Sequence, residues 1–411
     1  MVRRWLGVAA FLLAGGTAAA QAIHVYIGQV TPTSVLIAWG STQGGGQNTI
    51  GRDSKPAGQA QVRIAGRTIP ADHNWLEVTG LRPDTPYPYE VDLDGKRIGG
   101  SIVRTWPVRA TRLTFFVIGD YGDGGAGQKG VAAAMAAEFY RREQAGGPVR
   151  FVLTVGDNIY ASANLGYVLR GSGTDDRDWE NKFFQPYQPL LDRIPFLPSP
   201  GNHDGNSTEK ASDLNTYLDN FFFPGNRPAR WYQFNFGGLA DFFSLDSTDN
   251  TTSGHPAPAY APNGPQSQWL AQAMAESKAP WKIPYFHHPP FNAGPGHGAS
   301  YAVLRHWVDL FQKSGVKAVF SGHEHNYQVS EASEITGGAR YFISGAGGEL
   351  RSGNVLANMP RAHIEGWAAV RHFLVVEIDG GAMRVTPMSN ETIVVRNASG
   401  QPVPLSVDVR L

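Results

Sequence analysis

The 411-residue chain has no cysteine. Disulfides, thiolate metal ligands and a lipid-modified cysteine anchor are therefore excluded. A charge excess is also lacking. Lys+Arg and Asp+Glu both number 35, so the net charge is zero and nothing recommends nucleic acid as a partner. Charged residues make up only 17% of the chain, and its 49 Gly and 28 Pro follow no repeat, which argues against a helical bundle or a collagen. Beyond the first residues, no run is apolar enough to span a bilayer.

Those first residues have the organisation of an export signal. MVRRW is a basic n-region, LGVAAFLLAGG an apolar h-region, and TAAAQA places Ala20 and Ala22 in an A-x-A cleavage site. A signal peptide over 1–22 predicts a secreted or periplasmic product with no stable membrane association. Arg3-Arg4 leaves general secretion and twin-arginine export both open.

The length exceeds one ordinary core and predicts two domains. Residues 23–107 read as all-β. HVYIGQV, SVLIAW and YPYEVDL are strand patterns separated by turn clusters such as STQGGGQN and DLDGKRIGG. The stretch VTGLRPDTPYPYEV is similar to the L-x-P-x-T-x-Y segment of fibronectin type III domains, matched by Leu81, Pro83, Thr85 and Tyr87. Trp39 resembles that family's core tryptophan. The resemblance implies a β-sandwich whose residues pack and perform no chemistry.

From residue 112 the period changes to strand, helix, strand. LTFFVIGD and PVRFVLTVGD are buried-type strands, and QKGVAAAMAAEFYRREQ, QSQWLAQAMAESK and WVDLFQKSG are helical. This is an α/β domain over 111–390, followed by a C-terminal strand segment at 391–411. In such sheets ligands gather beyond the carboxyl ends of the strands. Five strand or loop ends carry polar residues there: Asp120, Asp157 with Tyr160, Asn202-His203-Asp204, His287-His288, and His323 with His325. Taken singly, an Asp after a strand is most often a cap or turn former, and a lone His a hydrogen-bonded core or surface residue. Taken together, they are oxygen and nitrogen donors suited to two hard-to-borderline cations. Glycine precedes Asp120, Asp157, Asn202 and His323, where close approach or positive φ is useful.

The ordered blocks GDYG, GDNIY, GNHD, HHP and GHEH resemble the calcineurin-like metallophosphoesterases over residues 112–390. They look most like the purple acid phosphatases, whose pattern is D-x-G, G-D-x-x-Y, G-N-H-D/E, V-x-x-H and G-H-x-H. The resemblance implies two β-sheets flanked by helices. It implies that Asp120, Tyr160 and His325 bind a first metal, Asn202, His287 and His323 a second, and that Asp157 bridges. It further implies Fe(III) at the Tyr160 site, Fe(II), Zn or Mn at the other, and substrate-facing roles for His203 and His297. The family valine is missing from Pro284-Tyr285-Phe286-His287. Because neighbours on an extended segment point opposite ways, only His287 is expected to enter the site, with His288 either supporting the ligands from behind or exposed. Glu324 is expected to point away, and SGAGGEL (344–350) to form a tight turn beside the site.

The implied activity is hydrolysis of small phosphate monoesters, with water activated by the metal pair. A phosphodiesterase or nucleotidase using the same metals is the alternative. A binding protein with a dead catalytic domain is the rival from another class, and the complete ligand set argues against it.

Overall fold

The computed structural model describes residues 22–42, 50–160, 179–205, 214–250 and 258–411. The export signal lies, except for Ala22, outside them. Among the described residues no helix is long and apolar enough to cross a membrane.

The N-terminal strands are β1 (His24–Val30), β2 (Ser34–Gly40), β3 (Ala60–Ile64), β4 (Arg67–Ala71), β5 (Trp75–Thr79), β6 (Pro86–Leu93) and β7 (Lys96–Arg104). They form an antiparallel sheet β1-β2-β5 and another, β4-β3-β6-β7. β3 shows the reason: Ala60, Val62 and Ile64 alternate inward while Gln61 and Arg63 face outward. Trp39 and Leu81 are buried. At the corner between sheets, the Tyr87 hydroxyl accepts the Arg82 backbone N–H at 2.8 Å. This pairing and corner fit the fibronectin type III-like sandwich. Tyr87→Phe should cost about 1 kcal/mol, the usual net worth of one hydrogen bond, read as a lowered urea midpoint at unchanged m-value.

The sandwich shares a core with the α/β region. Trp106 lies 5.6 Å from the ring of Phe151, 5.8 Å from Phe234 and 5.5 Å from Phe236. The Tyr89 hydroxyl donates to the Asp192 carbonyl at 2.7 Å, closing the contact with a polar bond.

The second region continues with β8 (Arg112–Ile118), α1 (Ala126–Gln144), β9 (Val149–Val155), α2 (Gln185–Leu191), β10 (Phe196–Ser199), α3 (Asn215–Asn220), β11 (Tyr232–Phe236) and β12 (Ala240–Ser244). Then come α4 (Pro265–Glu276), β13 (Trp281–Tyr285), α5 (Tyr301–Lys313), β14 (Ala318–Ser321), β15 (Tyr327–Ser330) and β16 (Arg340–Ser344). The last strands are β17 (Ile364–Ala368), β18 (Phe373–Asp379), β19 (Ala382–Met388) and β20 (Val407–Arg410). One sheet has the order β10-β9-β8-β18-β19-β20 and the other β11-β12-β13-β14-β16-β15-β17. Phe115 stacks on Phe151 of its own sheet at 5.2 Å and meets Phe242 and Phe320 of the other edge-on at 5.3 and 6.1 Å. The sheets therefore face each other across an aromatic layer.

Strands covered on both faces read as continuous apolar runs, which is why LTFFVI and RFVLTV lack alternation. In α1 the buried Gln128, Val131, Ala132, Met135, Glu138 and Phe139 follow helical spacing, and Arg141 and Arg142 suit its C-terminal end. β20 pairs antiparallel with β19, so the segment after residue 390 supplies an edge strand of the six-stranded sheet.

Strands β8, β9 and β10 run parallel, as do β12, β13, β14 and β16. The carboxyl ends of both parallel sets open to the same place.

Candidate metal centre

Asp120 follows β8, Asp157 follows β9, Asn202 follows β10, His287 follows β13 and His323 follows β14. Three of these are themselves left-handed: Asp120 (φ 54°), Asp157 (φ 48°) and His323 (φ 71°). Of the four preceding glycines only Gly156 has positive φ, at 85°. The sharp turn therefore falls mostly on the functional residue, and such backbone strain concentrates at functional sites.

The glycines serve close approach instead. A Cβ on Gly156 would lie 2.5 Å from His287 Nδ1, and one on Gly322 would strike the Asp120 carboxylate. The His323 N–H donates to that carboxylate at 2.8 Å. Gly322→Ala is expected to displace Asp120 and weaken metal affinity by about 10–100-fold, the usual cost of disturbing a ligand's support, as read by competition titration with a chelating dye.

The side chains converge in two overlapping groups. In the first, the Tyr160 hydroxyl lies 3.0 Å from Asp120 Oδ1 and 3.3 Å from His325 Nε2, and Asp120 Oδ1 is 3.2 Å from His325 Nε2. In the second, His287 Nε2 lies 3.0 Å from Asn202 Oδ1 and 3.2 Å from His323 Nδ1. Asp157 belongs to both, with Oδ2 3.2 Å from the Tyr160 hydroxyl and 3.2 Å from His287 Nε2. Asp120, Asp157 and His287 are buried, and each offers a ligand atom within 4.8 Å of the others.

The tautomer of His287 tests whether a cation fits. Nδ1 donates to the Val155 carbonyl at 2.9 Å. The Nε2 lone pair then faces the Asn202 oxygen, the Asp157 carboxylate and His323 Nδ1. Buried acceptors turned toward one another repel unless positive charge lies between them. Burial disfavours charge on His287, but the Asp157 and Asp120 carboxylates outweigh it and raise its pKa to about 9. Burial would raise Asp157, but His287 and His203 bring it well below the carboxylate range. Burial, then Asp120 and Asp157, push the Tyr160 phenol far up. Burial, then His287, His288 and His297, push His323 down. This donor set fits cations: oxygen and nitrogen, no sulfur, with one carboxylate common to both groups.

Residues 113–327, over half of the chain, match the calcineurin-like phosphoesterase family. The chain belongs to that family. An uncharacterized protein of Mycobacterium tuberculosis is 25% identical over 333 residues, covering 75% of this chain and 61% of the relative. Purple acid phosphatase 15 of Arabidopsis thaliana is 24% identical over 282 residues, covering 62% and 49% respectively. The matches thus span about half to three-fifths of those relatives' lengths. Among solved structures, a purple acid phosphatase from yellow lupin (Lupinus luteus) seeds has a similar fold. Its TM-score is 0.61 at 15% identity, with 94% of this chain and 74% of the lupin chain covered.

Around the two donor groups, His203 is exposed, with its ring 4.7 Å from Tyr160 and its N–H donating to Asp157 Oδ1 at 2.7 Å. His297 is half-buried and stacks on His323 at 3.9 Å. His288 is not outside the site, as alternation predicted. The chain bends at 287–288 instead of staying extended, and the His288 ring comes to 4.3 Å from His323. The Gly-rich 344–350 turn packs beside the site as expected: Gly347 N–H donates to the Gly119 carbonyl at 2.9 Å and Gly348 N–H to that of Asp120 at 3.0 Å.

Asp204 is buried and accepts N–H groups from Gly201 at 2.7 Å and from the Asn158 backbone at 3.0 Å. Burial and the Asp157 charge raise its pKa to about 8. Asp246 forms a buried ion pair with Arg230 at 2.6 Å, a structural arrangement. Sequence reasoning missed the inward turn of His288 and the partners of Glu324. An adjacent histidine pair, and a charged residue inside an apolar strand-end motif, were the available signals.

Proposed function

We propose that the chain is a dinuclear-metal phosphoric monoester hydrolase of the purple acid phosphatase type, exported from the cytoplasm. The observation that carries this reading is Asp157, whose carboxylate belongs to both donor groups. Asp120, Tyr160 and His325 would hold the first metal, and Asn202, His287 and His323 the second, with Asp157 between them. A bound pair of this kind supplies positive charge for the phosphate oxygens and lowers the pKa of water.

The chain's own residues do the rest. Val155 fixes the His287 tautomer, so that Nε2 is available as a ligand atom. The Lys182 ammonium donates to the Tyr160 carbonyl at 2.6 Å and holds that segment in place. His203 and His297, on opposite flanks, hold the phosphate or pass a proton to the leaving oxygen. Because burial and two carboxylates oppose ionisation of Tyr160, a phenolate there requires a strongly acidic cation. Fe(III) at this position, with Fe(II), Zn or Mn at the other, would meet that requirement. The 23–107 sandwich is a packing partner with no chemistry of its own.

Metal analysis with a visible spectrum, followed by assays on p-nitrophenyl phosphate, bis-p-nitrophenyl phosphate and AMP, tests the reading. Two metals per chain, a visible band that disappears in Tyr160→Phe, and preference for the monoester are expected. A colourless, metal-free protein after iron supplementation overturns it. Preference for the diester moves the assignment to a phosphodiesterase.

A further inference from the structure

Glu324 stands between His323 and His325 and turns away from both, yet it is fully buried. A buried carboxylate needs hydrogen-bond donors. Its donors come from one loop. The His297 N–H reaches Oε2 at 2.7 Å, and the Gly296 N–H lies 3.1 and 3.2 Å from the two oxygens. Asn292 Nδ2 approaches at 3.4 Å. The Arg351 guanidinium, 3.7 Å away, offsets the charge, and the Arg351 N–H donates to the His325 carbonyl at 2.8 Å.

The loop Asn292–Ser300, NAGPGHGAS, lies between β13 and α5 and belongs to no strand, so its N–H groups have no ladder partner. Gly294 donates to Asn292 Oδ1 of the loop itself and Ser300 to the Pro289 carbonyl, while side chains from the segment after His323 take the Ala293, Gly296 and His297 N–H groups. Besides Glu324, Gln328 Oε1 accepts the Ala293 N–H at 2.9 Å, and Gln328 Nε2 donates to Asn292 Oδ1 at 2.9 Å. The outcome is the placement of His297, whose ring stacks on His323 with planes 21° apart.

We infer that Glu324 is a positioning residue: by binding the N–H groups of Gly296 and His297, it holds the His297 imidazole over the place where phosphate sits. The inference rests on the proposed role of His297. It differs from a merely stabilising role in acting through one side chain. The segment between two metal-side histidines thereby also sets the geometry of the substrate side.

A double-mutant cycle with p-nitrophenyl phosphate tests this on the metal-loaded full chain. Glu324→Ala is expected to lower kcat/KM to within about threefold of His297→Ala, and the double variant to be no slower than His297→Ala, since residues acting as one unit are not additive. Both single variants should keep two metals. Losses that multiply, or loss of a metal in Glu324→Ala, overturn the inference. If Glu324→Ala does not fold, Glu324→Gln, which keeps one acceptor oxygen, enters the same cycle with a smaller loss.

Amide hydrogen exchange gives a readout independent of turnover. The Gly296 and His297 amides should be protected in the wild type and lose at least about tenfold of that protection in Glu324→Gln, as expected for a bond to a charged acceptor. Unprotected amides in the wild type overturn the latch whatever the activity. Protected amides in a wild type that binds two metals but releases no phosphate leave the latch standing and defeat the proposed function.

Discussion

Asp157→Ala is expected to abolish metal binding and turnover together. One oxygen of Asp157 meets a ligand atom of each donor group: Oδ2 lies 3.2 Å from the Tyr160 hydroxyl and 3.2 Å from His287 Nε2. Its other oxygen accepts the His203 N–H at 2.7 Å, so the substrate-side turn hangs on the same group. Alanine removes the shared anion and leaves the second group, Asn202, His287 and His323, with no anionic ligand of its own, while Asp120 and Tyr160 serve the first. The loss of kcat/KM should reach at least ~10³-fold, since metal-derived charge stabilisation is worth several kcal/mol. Metal analysis beside a phosphate-release assay checks it. A variant that retained two metals and lost only rate would remove Asp157 as the bridge.

His287→Ala and His288→Ala are expected to differ sharply, although both rings face the centre. His287 Nδ1 is committed to the Val155 carbonyl at 2.9 Å, which directs the Nε2 lone pair at Asn202 and Asp157. His288 is held differently. Ser247 Oγ accepts its backbone N–H at 2.9 Å and lies 2.9 Å from its Nδ1. His287, His288 and His323 each offer a ligand atom within 4.8 Å of the others, so the tautomer decides. A serine O–H given to Nδ1 puts the ring proton on Nε2 and makes that atom a donor to an anion, whereas Nδ1–H given to the serine would make Nε2 a ligand atom; the expectation follows the first. His287→Ala should therefore lose the second metal and about 10³-fold or more in kcat/KM. His288→Ala should keep both metals and lose about 10–100-fold, the cost of a supporting group. Metal content by plasma mass spectrometry separates them, and equal occupancy losses would place His288 among the ligands.

Much of this was legible in the residues because strand ends are legible. Continuous apolar runs such as LTFFVI mark strands covered on both faces, and the polar residues after them must lie at the sheet's edge. The Tyr87 corner was legible for a related reason: a local sequence pattern closes on a backbone N–H only five residues upstream. The strand-end glycines were legible only in part. Gly156 has the positive φ, but at Asp120 and His323 the left-handed turn falls on the functional residue, because the preceding glycine is needed for close approach.

Alternation failed at His287-His288 because it holds only while the chain stays extended, and the chain bends there. Glu324 points away, as expected, but its targets in the Asn292–Ser300 loop were not visible, since they depend on where β13 and β14 bring that loop.

By itself, the sequence determined which donor types the protein owns, that none is sulfur, which strand each follows, and the spacing that lets His323 and His325 leave one strand end for different groups. These are local facts, set by composition, hydrophobic pattern and turn chemistry. Only the tertiary structure decided which donors share a carboxylate, which way His288 turns, that β20 completes the six-stranded sheet, and that Glu324 holds His297. Each of these depends on contacts between segments far apart in the chain, whose register and bends arise from packing two sheets across one aromatic core.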